Sequence, residues 1–389
     1  MRKLLRTLSA LALTAGLAAC GGGLERQGPV HPTLDLTPLV DLRSSGQRVP
    51  ASAMAAEYRA LPGWGADNHA SALPAFLRTC NWIDSQAGDP KKPIGSQREA
   101  GTVGDWLSLC GQIRSLPPND NEAVRQFVEA NFVPKALGGG EDGLFTGYYE
   151  PTLKGSWTRG GRFQTPLYKM PPKTGRMPSR AEIVGGALSG RGLELVWVDD
   201  PVDAFFLQVQ GSGRVEMTDG SVVQLGYAGQ NGHEYYPIGR YFIDNGAAAK
   251  EDMSLQWLRR WLHNHPDDAE RIMSMNPSYV FFKRNTGGPR GTRNLLLTEG
   301  RSLAVDPSQV SLTAPLWIDL DGTPLPGGKL QRLMLAQDTG GAIKGAVRGD
   351  VFWGHGPLAA EAAGFMKGRG KKWLLALRPN RAQYLSQLP

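Results

Sequence analysis

Cysteine and histidine are scarce in this chain, three and six among 389 residues. No CxxC or HExxH occurs and the histidines are scattered, so no spacing suits a structural or catalytic zinc. Metal-free chemistry without a cofactor is expected. A second Asp-Thr-Gly is also missing: Asp338-Thr339-Gly340 stands alone. An aspartic protease needs two such carboxylates sharing one proton. A homodimer could supply the second, but protomers of that kind are small and this chain is large. Around Ser212, "VQGSGR" lacks the Gly-x-Ser-x-Gly elbow of a serine hydrolase, and its glycines read as a hairpin bend. The chain shows no internal repeat.

What is present indicates a folded protein of two to three domains, with 41% hydrophobic residues. Arg2, Lys3 and Arg6 precede an apolar run, Leu8 to Ala19, that is too short to span a bilayer with comfort. Residues 1–20 therefore read as an export signal. Its end, Leu17-Ala18-Ala19-Cys20, resembles the bacterial lipobox, in which cleavage precedes a cysteine that is then lipidated. An ordinary signal peptide with a chance cysteine is the alternative. Gly21 rather than aspartate follows Cys20, which points to an outer-membrane lipoprotein facing the periplasm. Residues 21–40, rich in Gly and Pro, read as a tether. In an oxidising compartment Cys80 and Cys110 could pair, or remain two buried thiols.

The net charge is +7, mostly interspersed, with a basic cluster at "MKGRGKKWLLALRPNR" (366–381). For an exported lipoprotein, nucleic acid is a poor match and a polyanionic wall polymer a better one. "DNEAVRQFVEANFV" and "SLQWLRRWLHN" carry helical periodicity after caps at Asp120 or Asn121 and at Ser254. Between them "LELVWVDD", "AFFLQVQG" and "VVQLGYAG" read as a β-meander. After residue 290, "NLLLT", "LWIDL", "RLMLAQD", "DVFWG" and "KWLLAL" read as short strands. With 50 glycines and 28 prolines for turns, the expected fold is mainly β with peripheral helices.

The strings "FTGYYEP" (145–151), "FFLQVQGSGR" (205–214), "GYAGQNGHEYYPIG" (226–239), "NPSYVFF" (276–282), "LTEGRSLAVDP" (297–307) and "AQDTGGAIKG…RGDVFWG" (336–354) together resemble the membrane-bound lytic murein transglycosylase A (MltA) family. They run in family order over about residues 70–378. The resemblance implies a double-psi β-barrel domain from residues 41–150 plus 287–389, with N-terminal helices and a 3D-type C-terminal part. A second β domain, 151–286, is inserted, and glycan lies in the groove between them.

The resemblance also implies lysis of the β-1,4 bond between N-acetylmuramic acid and N-acetylglucosamine, giving 1,6-anhydromuropeptides. Peptidoglycan strands are then the partner, with anchorage through Cys20. Asp350 maps onto the acid of the D-x-F-x-G element and Asp338 onto its partner. Thr146 and Tyr148 would line the groove, joined by Gln210, Lys344 and Arg348, while Asn231, His233 and Glu234 are second-tier candidates. Glu150 is one further carboxylate to test. Two alternatives stay open: a glycoside hydrolase using both aspartates, and a non-catalytic wall-binding lipoprotein.

Overall fold

The computed structural model describes residues 56–378 except 96, 98, 99, 173, 174 and 251. The expected signal segment, tether and Cys20 lie outside the described residues. Thirteen strands are described: β1 (Phe132–Ala136), β2 (Gly143–Glu150), β3 (Thr152–Ser156), β4 (Thr165–Tyr168), β5 (Glu194–Val198), β6 (Gly213–Met217), β7 (Val222–Gln230), β8 (Val280–Asn285), β9 (Ser302–Ala304), β10 (Pro315–Asp321), β11 (Lys329–Asp338), β12 (Gly349–His355) and β13 (Gly368–Leu377). They form a six-stranded sheet, β4-β5-β3-β6-β7-β8, and a seven-stranded one, β1-β13-β10-β11-β9-β12-β2, in which β13 also pairs with β2.

Two expectations fail here. The fold is not mainly β, because helices and strands occupy comparable lengths of chain. Nor do the strands of the seven-stranded sheet amount to the expected double-psi barrel; they make a mixed parallel and antiparallel sheet. The helices are not peripheral either. Leu73–Asp84, Val103–Ser115 and Asn121–Asn131 bury Phe76, Trp106 and Phe127 in one core with Trp317, Leu333 and Leu375 from the sheet. Local strand texture could not reveal that helices supply half of that core.

One expected strand is a helix. "AFFLQVQG" lies in Pro201–Gln210, where Asp200 Oδ1 accepts from the Val202 and Asp203 amides at 2.7 and 3.2 Å. Pro201 occupies the first turn and Gly211, at φ 81°, closes the last. Strong signals at both ends override the β preference of two phenylalanines and a valine. "NLLLT" is likewise not a named strand: it starts at the end of the 3-10 turn Thr292–Asn294, and Leu296 makes only an isolated bridge with Arg290. The helix caps at Asp120 and Ser254 are as expected, each side chain accepting from the third amide beyond it.

Cys80 and Cys110 are bonded, joining two neighbouring helices across a sequence separation of 30. Closing a loop of this size in the unfolded chain contributes about 3–4 kcal/mol in the chain-entropy account. Replacing both cysteines with serine should lower the urea-unfolding free energy by about that amount, whereas an unchanged midpoint would show the bond to be idle.

Candidate active site

The geometry of the site follows from strand register. Ala304 of β9 pairs with Asp338 of β11 on one side and Asp350 of β12 on the other, and Asp350 pairs with Thr146 of β2. Four adjacent strands therefore carry Asp338, Ala304, Asp350 and Thr146 in one row. Side chains alternate along a strand, so Tyr148 shares a face with Thr146, and Phe352 with Asp350. Tyr148, Leu297, Ala304 and Phe352 pack as a small apolar cluster beside the carboxylates. A larger residue at 304 would occupy the space over which Tyr148 reaches β11.

Asp350 is half-buried. Its Oδ1 accepts from Thr146 Oγ1 at 2.7 Å, and that hydroxyl accepts from Arg348 Nη2 at 2.8 Å. Among the described residues, Oδ2 takes no protein hydrogen bond. Burial pushes the Asp350 carboxyl up to about 6; Thr146 and Arg348 oppose this, while the Asp338 charge adds to it. The result is a carboxyl protonated in a useful fraction near neutrality, with one oxygen unclaimed by protein.

Asp338 differs. Its Oδ1 accepts from the Thr292 and Thr339 amides at 3.0 and 2.8 Å and from Thr292 Oγ1 at 3.2 Å. Its Oδ2 accepts from Tyr148 OH at 2.9 Å. Burial raises this carboxyl too, and those donors offset only part of the rise. With every partner donating, Asp338 is surrounded by groups that favour its charged form, whereas Asp350 has one such donor. The Tyr148 phenol, raised by burial and by both aspartates, stays a neutral donor.

The remaining candidates divide. Arg348 reaches Asp350 through Thr146 and also donates to the carbonyls of Leu144 and Gly349, so it clamps β2 to β12. Lys344 is exposed and acts electrostatically on Asp306. Gln210 ends its helix by accepting from the Tyr149 amide at 3.1 Å, outside the hydrogen bonds of the carboxylates. Asn231 is buried and ties its loop to Pro178, Pro277 and Tyr279, and His233 Nε2 meets Met177 O at 2.9 Å. Both are loop knots. Glu234 is exposed. Glu150 is 1% exposed, and burial raises its carboxyl to about 7 despite Arg214.

Thr292, Thr339 and Lys372 escaped the sequence reading. The buried Lys372 donates to Arg348 O at 2.9 Å and so fixes the backbone just before Asp350. Thr292 reaches Asp338 because Gly291 precedes it: a Cβ there would stand 2.6 Å from Gln337 O. Only that glycine among turn residues hinted at a close approach.

Residues 144–283 match the model of the MltA specific insert domain, and residues 301–376 that of the 3D domain. The chain is 38% identical over 291 residues to membrane-bound lytic murein transglycosylase A of Escherichia coli K12, covering 73% of this chain and 77% of that protein. The crystal structure of a membrane-bound lytic murein transglycosylase from Agrobacterium tumefaciens is similar with a TM-score of 0.75 at 32% identity, over 85% of this chain and 99% of that one. That of Escherichia coli MltA with bound chitohexaose gives 0.64 at 34% identity, over 79% and 90%. With the insert domain, the 3D domain and these relatives in agreement, the chain belongs to the membrane-bound lytic murein transglycosylase A family.

Proposed function

We infer that this chain is a lytic transglycosylase that cuts the glycan strands of peptidoglycan. The observation that carries the mechanism is the half-buried Asp350 carboxyl, held near 6 and bonded to protein through one oxygen. Protonated Asp350 gives its proton to the oxygen of the β-1,4 bond between N-acetylmuramic acid and N-acetylglucosamine as the C1–O bond breaks. The muramyl C6 hydroxyl attacks C1, and the same carboxylate takes the hydroxyl proton. Protons balance and no water enters, so a 1,6-anhydro ring forms.

Thr146 and Arg348 hold Asp350 in place. Asp338 keeps its charge beside Asp350, and the developing positive charge at C1 would be stabilised by that carboxylate. The hydrolase alternative needs a base that can take a proton from water. Asp338 suits this poorly, since its oxygens are already engaged by four donated hydrogen bonds.

The wider arrangement is part of the same proposal. The source of the two sheets, one within 152–285 and the other from 132–150 and 302–377, supports a body of 41–150 plus 287–389 with an insertion at 151–286. Among the described residues no helix is long and apolar enough to cross a membrane. The Leu17–Cys20 pattern supports a lipid anchor at Cys20 and outer-membrane residence.

Purified peptidoglycan treated with the protein should release soluble fragments whose masses lack one water per cut. Fragments with ordinary reducing ends would make it a hydrolase, and none at all would favour a binding protein. Replacing Asp338 with Asn should remove a negative charge that adds to the effect of burial on Asp350. The alkaline limb of the kcat/KM profile should then move to lower pH, with about tenfold lower activity at pH 7. A limb that stays in place would leave Asp338 a purely structural role.

A further inference from the structure

A cavity of about 650 Å³ lies between strands of the six-stranded sheet and the helices Pro201–Gln210 and Pro266–Ser274. It includes none of the residues that hold Asp338 or Asp350. Its volume falls within the range of small-ligand sites. Two of its walls carry polar groups with unmet needs.

Arg180 is 4% exposed. Its Nε and Nη2 donate to the carbonyls of Asn276 and Ser278 at 3.0 and 2.6 Å, and its guanidinium stacks 4.6 Å from the Phe205 ring and 5.2 Å from that of Tyr279. Among the described residues no carboxylate pairs with it, and Nη1 has no hydrogen bond. A buried cation held only by carbonyls and ring faces is costly and best matched by an anion. Gln208, on the same cavity wall, is 6% exposed; its side chain bonds Tyr279 while its Oε1 has no partner. A buried acceptor in that state calls for an N–H.

Of the cavity's acids, Asp200 is engaged by the Val202 and Asp203 amides and by His263, and the other two lie nearer solvent. Glu270 is exposed, and Asp199 is partly so and paired with Arg162 at 3.5 Å. The lining thus joins a buried cation and a buried amide to carboxylates nearer solvent, with Arg159 and His263 exposed among them. A ligand complementary to Arg180 and Gln208 brings a carboxylate and an amide N–H, and Glu270 and Asp199 can meet an ammonium. Peptides that end in a free carboxylate and carry a free amine have this layout, and peptidoglycan stem peptides built on a diamino acid are of that class.

We propose that this cavity is a second binding site, taking the carboxyl-terminal end of a peptidoglycan stem peptide, with the carboxylate on Arg180 and a peptide N–H on Gln208 Oε1. The choice of a stem peptide rests on the glycan-strand reading above; the preference for a peptide carboxylate does not. The helix that carries Gln208 ends at Gln210 against Tyr149 of β2. A bound peptide therefore packs on an element that abuts a strand of the carboxylate site.

Calorimetric titration of the mature protein with a stem tetrapeptide bearing a free terminal carboxylate, and with the same peptide as its carboxamide, tests this. The free acid should bind saturably and the carboxamide about tenfold more weakly or worse, as loss of a charge-assisted hydrogen bond implies. Arg180→Gln and Gln208→Leu should each weaken the free acid about tenfold. Arg180 also braces two carbonyls and the Gln208 amide bonds the Tyr279 hydroxyl, so the comparison of free acid with carboxamide on the unaltered protein keeps the test decisive if either variant misfolds. Absence of saturable binding, equal affinity for acid and carboxamide, or unchanged affinity in Gln208→Leu would overturn the site. Cleavage of intact peptidoglycan by the unaltered protein is read separately. If that fails while the tetrapeptide binds, the assignment to a stem peptide falls together with the glycan reading, and the peptide-carboxylate site alone survives.

Discussion

Replacing Asp350 with Asn should lower kcat/KM on peptidoglycan about 10²–10⁴-fold, the usual contribution of a positioned general acid and base. Asparagine keeps the size of the side chain and an oxygen that can accept from Thr146, so the row of residues across β2, β12, β9 and β11 should stay in place. What is lost is the proton. The same residue gives both the proton to the leaving oxygen and a base for the C6 hydroxyl, so no residual step is expected to compensate.

The substitution also has a stability signature with a definite sign. The folded Asp350 carboxyl is raised to about 6, above its ordinary unfolded value of roughly 3.9. Between those values the folded state binds the proton more tightly than the unfolded one. Stability therefore falls as pH rises through that window and stays lower above it. Asp350→Asn carries no such cost, so its thermal midpoint at pH 7.5 should equal or exceed that of the unaltered protein. Dead activity with a maintained or raised midpoint separates a lost acid from a damaged fold; a midpoint well below would attribute the inactivity to misfolding. For the unaltered enzyme, kcat/KM should decline above about pH 6 as Asp350 loses its proton.

Asp67→Ala should destabilise the protein by about 3–5 kcal/mol, the cost of removing one partner from a buried ion pair. Both Asp67 oxygens meet Arg301, at 2.8 and 2.9 Å, with side chains 4% and 6% exposed, and the Leu333 amide donates to Asp67 Oδ2. A second buried arginine, Arg332, also feels this carboxylate. Alanine would leave two buried guanidinium groups facing each other and orphan the amide, which places the effect toward the upper end. Burial alone would raise the Asp67 carboxyl, but Arg301 more than offsets it and holds it below the ordinary range. Its contribution is thus present above the ordinary aspartate value and lost as pH falls through the depressed one. Urea unfolding at pH 7 and at pH 3 should show the mutant's deficit shrinking in acid; a pH 7 deficit below about 1 kcal/mol would count against the ion pair.

How much was legible in the sequence depended on the range of each signal. Asp120 and Ser254 mark helix starts because a cap acts within three residues. Strands β10 to β13 were legible because their apolar runs end at Gly, Pro or Asp. Phe205 and Phe206 misled, since strand texture weighs each residue alone while the helix is fixed by Asp200 and Gly211 at its ends. Asp338, Asp350, Thr146 and Tyr148 were read from short strings and do come together, as two hydrogen-bonded pairs across neighbouring strands. Thr292 was not, because it approaches Asp338 from a loop 46 residues earlier with no pattern of its own beyond Gly291. The Asp67–Arg301 pair, 234 residues apart, left no local trace. The barrel expectation failed for a related reason: strand pairing and the helices that share the sheet's core are long-range properties.

The most direct test of the central claim is digestion of purified peptidoglycan by the protein in water enriched in heavy oxygen, with mass analysis of the released sugars. Transfer to the muramyl C6 hydroxyl takes no oxygen from solvent. The products should carry no label at the cut muramyl residue and should be one water lighter than reducing sugars. Incorporation of one heavy oxygen per cut would mean that water is the nucleophile, and the assignment of Asp350 as sole acid and base for an intramolecular transfer would be wrong.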